Sequence, residues 1–312
     1  MLIKLIGAGA AAHNHLNAIQ NIEEIVLKGC YDPNLNSSQK LSAKFGLDVF
    51  TSFEETLKKS QKEELVIICS PPNTHIQIAR AALKEGNHVL VEKPFCLNDK
   101  EVTPIQKLAD SKGLVVAAVA QHRFTDGFIK FQNKIKTMET NEIKSVHLNI
   151  QRYRKSTYFT DSWKSDKQQS GGGILITIGF HYLDLLCNIF DSVEVVNASI
   201  KKKHAGIENH IEGQLLLNHR IHCSFSMKWG DYPPLKDSIE AKTNTKNFVL
   251  KGGIYYENNG TNKSFIHRNI LHKRQMIEII QAIKHHTPPN TRASSIENTL
   301  SLIFKIYNHA RT

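Results

Sequence analysis

The 312-residue sequence predicts an α/β chain in two parts: an N-terminal doubly wound parallel sheet, then a C-terminal α+β region with a mostly antiparallel sheet. Three observations predict it. Up to about residue 120, short apolar strands alternate with helical stretches, the rhythm of βαβ units. The first strand runs straight into a glycine turn that opens a helix. Beyond residue 190, strand-like segments follow one another without helices between them, as antiparallel sheets do. The expected boundary puts residues 1–122 in the first domain and 123–312 in the second, with the last helices free to pack back on the first.

Residues 2–6 read as the first strand, followed by a helix to about Ile22. Ile25–Tyr31 is a second strand, stopped by the turn former Asp32-Pro33-Asn34. Ser37–Phe45 is helical, Val49–Thr51 is a brief strand, and Ser52–Lys59 is a helix with Ser52 as cap and Glu55 three residues on. Leu65–Cys69 is a continuous apolar run of the kind buried on both faces of a parallel sheet. Pro71-Pro72 breaks it, and a helix covers His75–Glu85. The strand His88–Val91 ends at Glu92-Lys93-Pro94, before a helix at Lys100–Ser111 and a sixth strand at Leu114–Ala120.

The second part opens with a helix at Asp126–Lys136 and a strand at Ile143–Tyr153. A polar, aromatic loop from Arg154 to Ser170 leads through Gly171-Gly172-Gly173 into a helix from Ile174 to Ile189. Strands follow at Val193–Lys202, Ile207–Leu217, Ile221–Trp229, Asp237–Thr243 and Asn247–Leu250, then helices at His272–His285 and Ser295–His309.

Composition excludes several classes. With 40% hydrophobic and 22% charged residues the chain can bury ordinary globular cores. The net charge of +11 is spread out, and its densest run is Lys201–Lys203. Without a clustered basic and aromatic motif, no nucleic-acid partner is expected; the positive field helps capture anionic ligands instead. Five scattered cysteines without a C-x-x-C pair suit reduced thiols in a cytoplasmic protein. No apolar run reaches the roughly 18 residues of a membrane span, so no membrane partner is expected, and the early glycine turn leaves no signal peptide. His204, His210 and His285-His286 lack partners at ligand spacing, so no metal is expected. Neither a nucleophile elbow nor a phosphate loop is present.

Gly7-x-Gly9-x-x-Ala12 follows a strand and opens a helix, the context in which this fingerprint denotes a Rossmann dinucleotide site. The first glycine permits the tight turn, and the second lets the backbone approach a pyrophosphate at the helix N-terminus. Gly7, Gly9, Ala10, Ala11 and Ala12 are the expected contacts, with Ala12 allowing close helix–strand packing. Asp32 ends the second strand, where an acid holds the adenosine ribose diol; it also suits the turn before Pro33. Asp32-Pro33-Asn34-Leu35 offers no cation to a 2′-phosphate, so NAD is expected rather than NADP.

Four motifs together carry a resemblance. Ser70-Pro71-Pro72-Asn73-Thr74-His75, Glu92-Lys93-Pro94, Gly171-Gly172-Gly173 and Gly179-x-His181-x-x-Asp184 match the order and spacing of the Gfo/Idh/MocA oxidoreductases (glucose–fructose oxidoreductase, inositol dehydrogenase). The match runs over essentially the whole chain. It implies hydride transfer between nicotinamide and a secondary alcohol or ketone of a sugar, with Ser70, Pro71, Asn73, His75, Glu92 and Lys93 at the cofactor. It also implies a homo-oligomer, a dimer or tetramer, joined through the open face of the second sheet.

The residue chemistry supports those implied roles beside simpler readings. Lys93 stands at the carboxyl edge of a parallel strand, where it can touch substrate and polarise a developing alkoxide; it is otherwise a surface lysine before a proline turn. His181 is the candidate general acid/base, since a free imidazole titrates near neutrality, and alone it would read as a packed helix histidine. Asp184, three residues on, shares its helix face and orients His181 or bonds backbone. Thr177 stands where the family pattern has Asp, sometimes Asn. It faces the site and can hydrogen-bond substrate, but it cannot hold a charge.

Ser162-Trp163-Lys164 followed by the triple glycine resembles the branch that oxidises nucleotide-linked uronic acids, the UDP-N-acetylglucosamine-uronate 3-dehydrogenases. Arg152 or Arg154 suits a carboxylate or diphosphate, and Tyr158 and Trp163 suit stacking on a sugar or base. Each equally suits a loop or a cover for the sheet. The expected ligand is a sugar or nucleotide sugar. A free-sugar or polyol dehydrogenase, a non-catalytic dinucleotide-binding sensor and a transiently oxidising glycosidase are the alternatives.

Overall fold

The computed structural model describes residues 1–59, 63–155, 158–160, 162–204, 206–230, 237–258 and 268–310. The chain divides into two compact units, Met1–Gln121 with His267–Glu297 and His122–Ile266 with Asn298–Thr312.

The first unit holds strands β1 (Leu2–Ile6), β2 (Val26–Tyr31), β3 (Asp48–Val49), β4 (Glu64–Ile68), β5 (His88–Val91) and β6 (Val116–Ala118). They form one parallel sheet in the order β3-β2-β1-β4-β5-β6. The order reverses between β1 and β4, and open α/β sheets bind ligands at the carboxyl ends beside such a reversal. The apolar run of β4 is buried at every residue, as a central strand covered on both faces requires. Helices α1 (Ala10–Ile19), α2 (Leu35–Phe45), α3 (Phe53–Leu57), α4 (His75–Lys84) and α5 (Val102–Ser111) join the strands. The helix Arg268–Lys284 closes the core: Met276, Ile279, Ile280 and Ile283 pack with Leu5, Leu16 and Leu65. The Ser52 cap forms, its hydroxyl accepting the Glu55 N–H at 3.1 Å. The Glu55 carboxylate returns one residue earlier than in a capping box, to Thr51.

The second unit is a seven-stranded sheet: β7 (Ser145–Arg152), β8 (Val193–His204), β9 (Ile207–Leu217), β10 (Ile221–Trp229), β11 (Ser238–Lys242), β12 (Asn247–Lys251) and β13 (Ile254–Glu257). The order is β13-β12-β11-β7-β10-β9-β8, antiparallel except for the parallel β7–β10 pair. β13 is a strand beyond those expected, added by the Gly252-Gly253 turn. Alternation sets the faces: Val146, Leu148, Ile150, Cys223, Phe225 and Met227 are buried, while Asn149, His222 and Ser224 are exposed. Helices α6 (Asp126–Lys136) and α9 (Phe180–Ile189) lie in this unit, as does the helix Glu297–His309 from Asn298 onward. The run Lys167–Ile189 is long and apolar enough to cross a membrane by length and composition, yet 78% of its most apolar 18-residue stretch is buried, as in a core helix.

The stretch expected as a loop, 154–170, contains two single-turn helices, α7 (Ser162–Ser165) and α8 (Lys167–Ser170); residues 156, 157 and 161 lie outside the described residues. Asp166 starts α8 by accepting the Gln168 N–H at 2.8 Å. The helix expected from Ile174 begins as a π-helical turn, Leu175–Gly179, before α9. Its start is fixed by Glu208 of β9. Both Glu208 carboxylate oxygens accept the Gly173 N–H at 2.9 Å, Oε1 also takes Leu175 N–H at 3.2 Å, and Tyr307 donates its hydroxyl at 2.7 Å. A Cβ at residue 173 would lie 1.9 Å from the Glu208 carbonyl oxygen, so only glycine fits there.

This carboxylate yields a stability test. Glu208→Ala leaves two backbone donors and a tyrosine hydroxyl buried without an acceptor, an expected loss of about 3 kcal/mol or more. Tyr307→Phe removes one of those hydrogen bonds and is expected to lose only about 1 kcal/mol. Urea midpoints compare the two, and equal losses would show that Glu208 does not organise the turn.

Candidate active site

At the carboxyl ends of β1, β4 and β5 the first unit gathers its motif residues. Gly7 has φ +94°, and a Cβ there would sit 2.6 Å from the Cys69 carbonyl carbon, so the turn after β1 requires glycine. Gly9 faces open space and is the N-cap of α1, with no side chain capping the helix. The N–H groups of the first turn, at Ala10 and Ala11, therefore suit a phosphate. Ala12 is fully buried and packs into the core, so it serves helix–sheet contact rather than the ligand contact expected of it.

Both readings of Asp32 hold. Its Oδ1 accepts the Asn34 N–H at 2.8 Å, making the turn, and its Oδ2 accepts the Ala8 N–H at 2.8 Å, tying β2 to the glycine turn. An ionised carboxylate has about four acceptor sites, so capacity remains for a ribose diol. The glycine cradle, the uncapped helix end and this acid fit a dinucleotide.

The loops after β4 and β5 brace one another. His75 is 1% exposed, and its ring nitrogens lie 2.9 Å from the Pro94 and Ser70 carbonyl oxygens. That corrects the expected cofactor contact: His75 staples two loops. The Ser70 and Thr74 hydroxyls bond each other at 2.7 Å, while Asn73 is exposed and Pro71 partly so. Glu92 is corrected in the same way. Its Oε1 meets His15 Nε2 at 2.9 Å and its Oε2 accepts the Lys93 N–H at 3.0 Å, so it holds the backbone from which the Lys93 side chain departs. Burial would raise the Glu92 carboxyl, but the His15 hydrogen bond and the positive charges around it hold its pKa down to about 2. His272 packs edge-on to His15 at 4.7 Å, and burial first, then His15, pushes its pKa down to about 3. The Lys93–Pro94 peptide is cis. Sequence reasoning missed His15 and His272; the signal for His15 was its place on the buried face of α1.

In the second unit His181 is 7% exposed near the start of α9. His122, from the short turn Gln121–Phe124, stacks on it face to face at 4.2 Å and 7°. That partner carries no periodic or motif signal in the sequence. Asp184 is placed otherwise than expected: its carboxylate accepts both Arg123 Nε at 2.8 Å and Arg123 Nη2 at 2.5 Å, with the Thr299 hydroxyl at 3.1 Å. The charge expected to orient His181 anchors a buried arginine. Thr177 donates its hydroxyl to the Gly173 carbonyl at 2.6 Å, so its proton goes to the backbone instead of substrate.

Arg152 is likewise occupied. Its Nη2 pairs with Asp237 at 2.5 Å, and Tyr182 donates to the same carboxylate at 2.7 Å. Arg154 lies over the Tyr158 ring at 5.0 Å, and Lys164 lies 5.3 Å from Tyr158 and 5.7 Å from Trp163. Tyr158 and Phe159 pack edge-on to Trp229 at 6.0 and 4.9 Å, and Phe159 to His204 at 4.5 Å. Tyr158 thus carries cations on its ring, and the aromatic wall is wider than sequence suggested. Among the described residues no group of three His, Cys, Asp or Glu could hold a metal.

Two outcomes follow from these placements. The unfolded His272 takes up a proton near its ordinary 6.5 while the folded ring excludes it down to about 3, so stability drops as pH falls through that window. Glu92 adds a second loss from 4.5 toward about 2. His272→Phe is expected to flatten the stability slope above pH 4.5 by up to about 1.4 kcal/mol per pH unit, read from urea midpoints. An unaltered slope would refute the neutral buried ring. Separately, Asp184→Asn should cost about 3 kcal/mol or more by stranding Arg123; a residue that only oriented a base would lower kcat at an unchanged midpoint.

Comparison with known proteins places this architecture. Residues 1–120 match the model of the oxidoreductase family with an NAD-binding Rossmann fold, and residues 128–243 match the GFO/IDH/MocA C-terminal domain. The uncharacterized oxidoreductase C115.03 of Schizosaccharomyces pombe is 30% identical over 54% of this chain and 45% of its own length. Glucose-6-phosphate 3-dehydrogenase of Bacillus subtilis is 24% identical over 69% of this chain and 61% of its own. The chain thus matches about half to three fifths of the length of these two relatives. The crystal structure of the WlbA dehydrogenase of Bordetella pertussis, in complex with NADH and UDP-GlcNAcA, shares the fold with a TM-score of 0.88. It is 21% identical, over 100% of this chain and 95% of that one. The chain belongs to the GFO/IDH/MocA oxidoreductase family, and its first unit is that family's NAD-binding Rossmann domain.

Proposed function

We propose that this protein uses NAD to oxidise a secondary alcohol of a sugar, or to reduce the matching ketone, and that the sugar is nucleotide-linked or a uronate. The observation that carries the reading is Lys93, held at the carboxyl end of β5 by Glu92, in the same sheet as the Gly7–Gly9 turn. Bound NAD supplies the hydride acceptor. Lys93 presents an ammonium to the reacting hydroxyl and stabilises the charge on its oxygen as the proton leaves. His181 takes that proton on its imidazole, whose plane is set by the stack with His122. Thr177 has no proton capacity to share, so His181 is the sole acceptor in this scheme. Asp32 favours NAD, because its carboxylate would repel a 2′-phosphate.

Support for the sugar class comes from relatives: one is named for oxidising glucose 6-phosphate, and one is described with NADH and UDP-GlcNAcA. The test is NADH absorbance with purified protein, NAD and a panel of UDP-linked uronates, UDP-linked sugars and free polyols. Turnover is expected with a UDP-linked member. Lys93→Ala and His181→Ala are each expected to lower kcat about 100-fold or more while NAD still binds. Activity surviving within a few-fold in either variant would remove that residue from the chemistry. Bound NAD with no turnover across the panel would favour the dinucleotide-binding sensor.

A further inference from the structure

His75 opens α4, and its ring sits between two loops of the first unit. Nδ1 lies 2.9 Å from the Pro94 carbonyl oxygen, and Nε2 lies 2.9 Å from the Ser70 carbonyl oxygen. A carbonyl oxygen can only accept, so each contact is a hydrogen bond only where the ring nitrogen carries a hydrogen. A neutral imidazole has one N–H and an imidazolium has two. Both contacts are therefore bonds only when the ring holds a second proton. With one proton, a nitrogen lone pair faces a carbonyl oxygen, and that contact has to open.

The two carbonyls differ in what release costs them. The contact with Pro94 is buried, and the contact with Ser70 is part-buried. A buried carbonyl without a donor loses its hydrogen bond outright, while one nearer solvent can turn to water. The neutral ring accordingly keeps its single N–H on Pro94 and lets go of Ser70. The Ser70 loop is tied together on its own account. Ser70 and Thr74 join hydroxyls at 2.7 Å, and Thr74 donates its hydroxyl and its N–H to the Pro71 carbonyl at 2.8 and 3.0 Å. The loop also rests on the dinucleotide turn, since a Cβ at Gly7 would lie 2.7 Å from the Ser70 nitrogen.

The surroundings set the balance between the two states. Burial pushes the His75 pKa below its ordinary value, while the carbonyls of Ser70 and Pro94, the Glu92 carboxylate and the Phe95 backbone push it back up. Glu92 is the anion facing the ring from the end of β5, and it is ionised down to about 2. The Cys69 thiol, next to Ser70, is pushed well up by burial and stays neutral. Arg80, farther along α4, pairs with Glu101 at 3.1 Å. Lys93, next to Pro94, acts on Glu92 and His272. An imidazole held below its ordinary value changes charge on mild acidification.

We propose that His75 is a positioning residue whose second proton latches the Ser70–Thr74 loop to the Lys93–Pro94 turn. The proton comes from solvent. Falling pH closes the latch, and rising pH opens its Ser70 side. Closed, it holds two loops at the carboxyl edge of the NAD-binding sheet in one arrangement, and a pre-ordered site releases its ligand more slowly. The proposal goes beyond the sugar-dehydrogenase reading and is tested with protein and NADH alone.

Nitrogen-15 NMR of the uniformly labelled protein reads the ring directly, with the His75 signals assigned through its backbone resonances. Between about pH 8 and about pH 5 the ring is expected to pass from one protonated nitrogen, Nδ1, to two. Release of NADH, followed by stopped-flow fluorescence, is expected to slow about fivefold over the same range, the worth of one hydrogen bond. His75→Gln keeps an N–H donor at every pH and cannot take up a proton, so its release rate is expected to lose that slope. A ring that keeps one bare nitrogen down to the pH of acid unfolding would overturn the latch, with no variant needed. A ring that carries two protons throughout would do the same. So would a release rate that follows pH as steeply in His75→Gln as in the original chain. Silence across the sugar panel removes the dehydrogenase and leaves each of these measurements standing.

Discussion

Several glycines let the backbone pass closer to its neighbour than a side chain would permit, and two of them, Gly173 and Gly7, bear on where the candidate site residues lie. At Gly173 the space a Cβ would need is filled by the Glu208 carbonyl oxygen, 1.9 Å away. That contact lets the Glu208 carboxylate reach the Gly173 and Leu175 N–H groups and start the helix that carries His181. At Gly7 the space is filled by Cys69 and Ser70, so β1 turns against the end of β4 and opens α1 toward solvent. In both cases the chain gives up a side chain to bring backbone dipoles to a place of use. The difference lies in what meets them: a resident carboxylate in the second unit, and open space suited to an anionic ligand in the first.

The buried acids follow a common logic. Glu92 holds the Lys93 backbone and His15, Asp184 holds Arg123, and Asp237 holds Arg152 and Tyr182. A buried charge left alone is costly, and a pair is tolerated when geometry and extra hydrogen bonds satisfy both members. None of these acids is free to act as a base, because each is already an acceptor to two or more donors. Proton chemistry is thereby left to imidazole, and the carboxylates fix positions. The depressed pKa of Glu92 fits that division, since an acid ionised down to about 2 is a permanent anchor near neutral pH.

What the sequence made legible was whatever repeats or whatever only one residue type can do. Alternation and apolar runs placed the strands of both sheets except β13, and the glycine turn marked the end of β1 without any knowledge of its surroundings. The acids were misread because their partners lie far along the chain: 61 residues separate Asp184 from Arg123, 77 separate Glu92 from His15, and 99 separate Tyr307 from Glu208. Spacing on one helix suggested Asp184 with His181, three residues apart, and the fold offered Asp184 a better partner. Glu208 reads locally as a polar residue on a strand, and nothing nearby announces that a triple glycine will pack against it. His122 is invisible for a related reason, since a lone histidine in a short turn carries no periodic signal.

Thr177 bears on the reaction through the same turn. Its hydroxyl donates to the Gly173 carbonyl, and the Gly173 N–H is the group that Glu208 holds. An aspartate in its place would bring a second carboxylate to a turn already organised by one. An ionised aspartate has no proton to donate, so the Gly173 carbonyl would lose this hydrogen bond. Threonine is therefore the residue this version of the turn accommodates, and its presence follows from how the helix start is built. In the proposed reaction the consequence is that the proton passes to one ring, His181, steadied by the His122 stacked upon it.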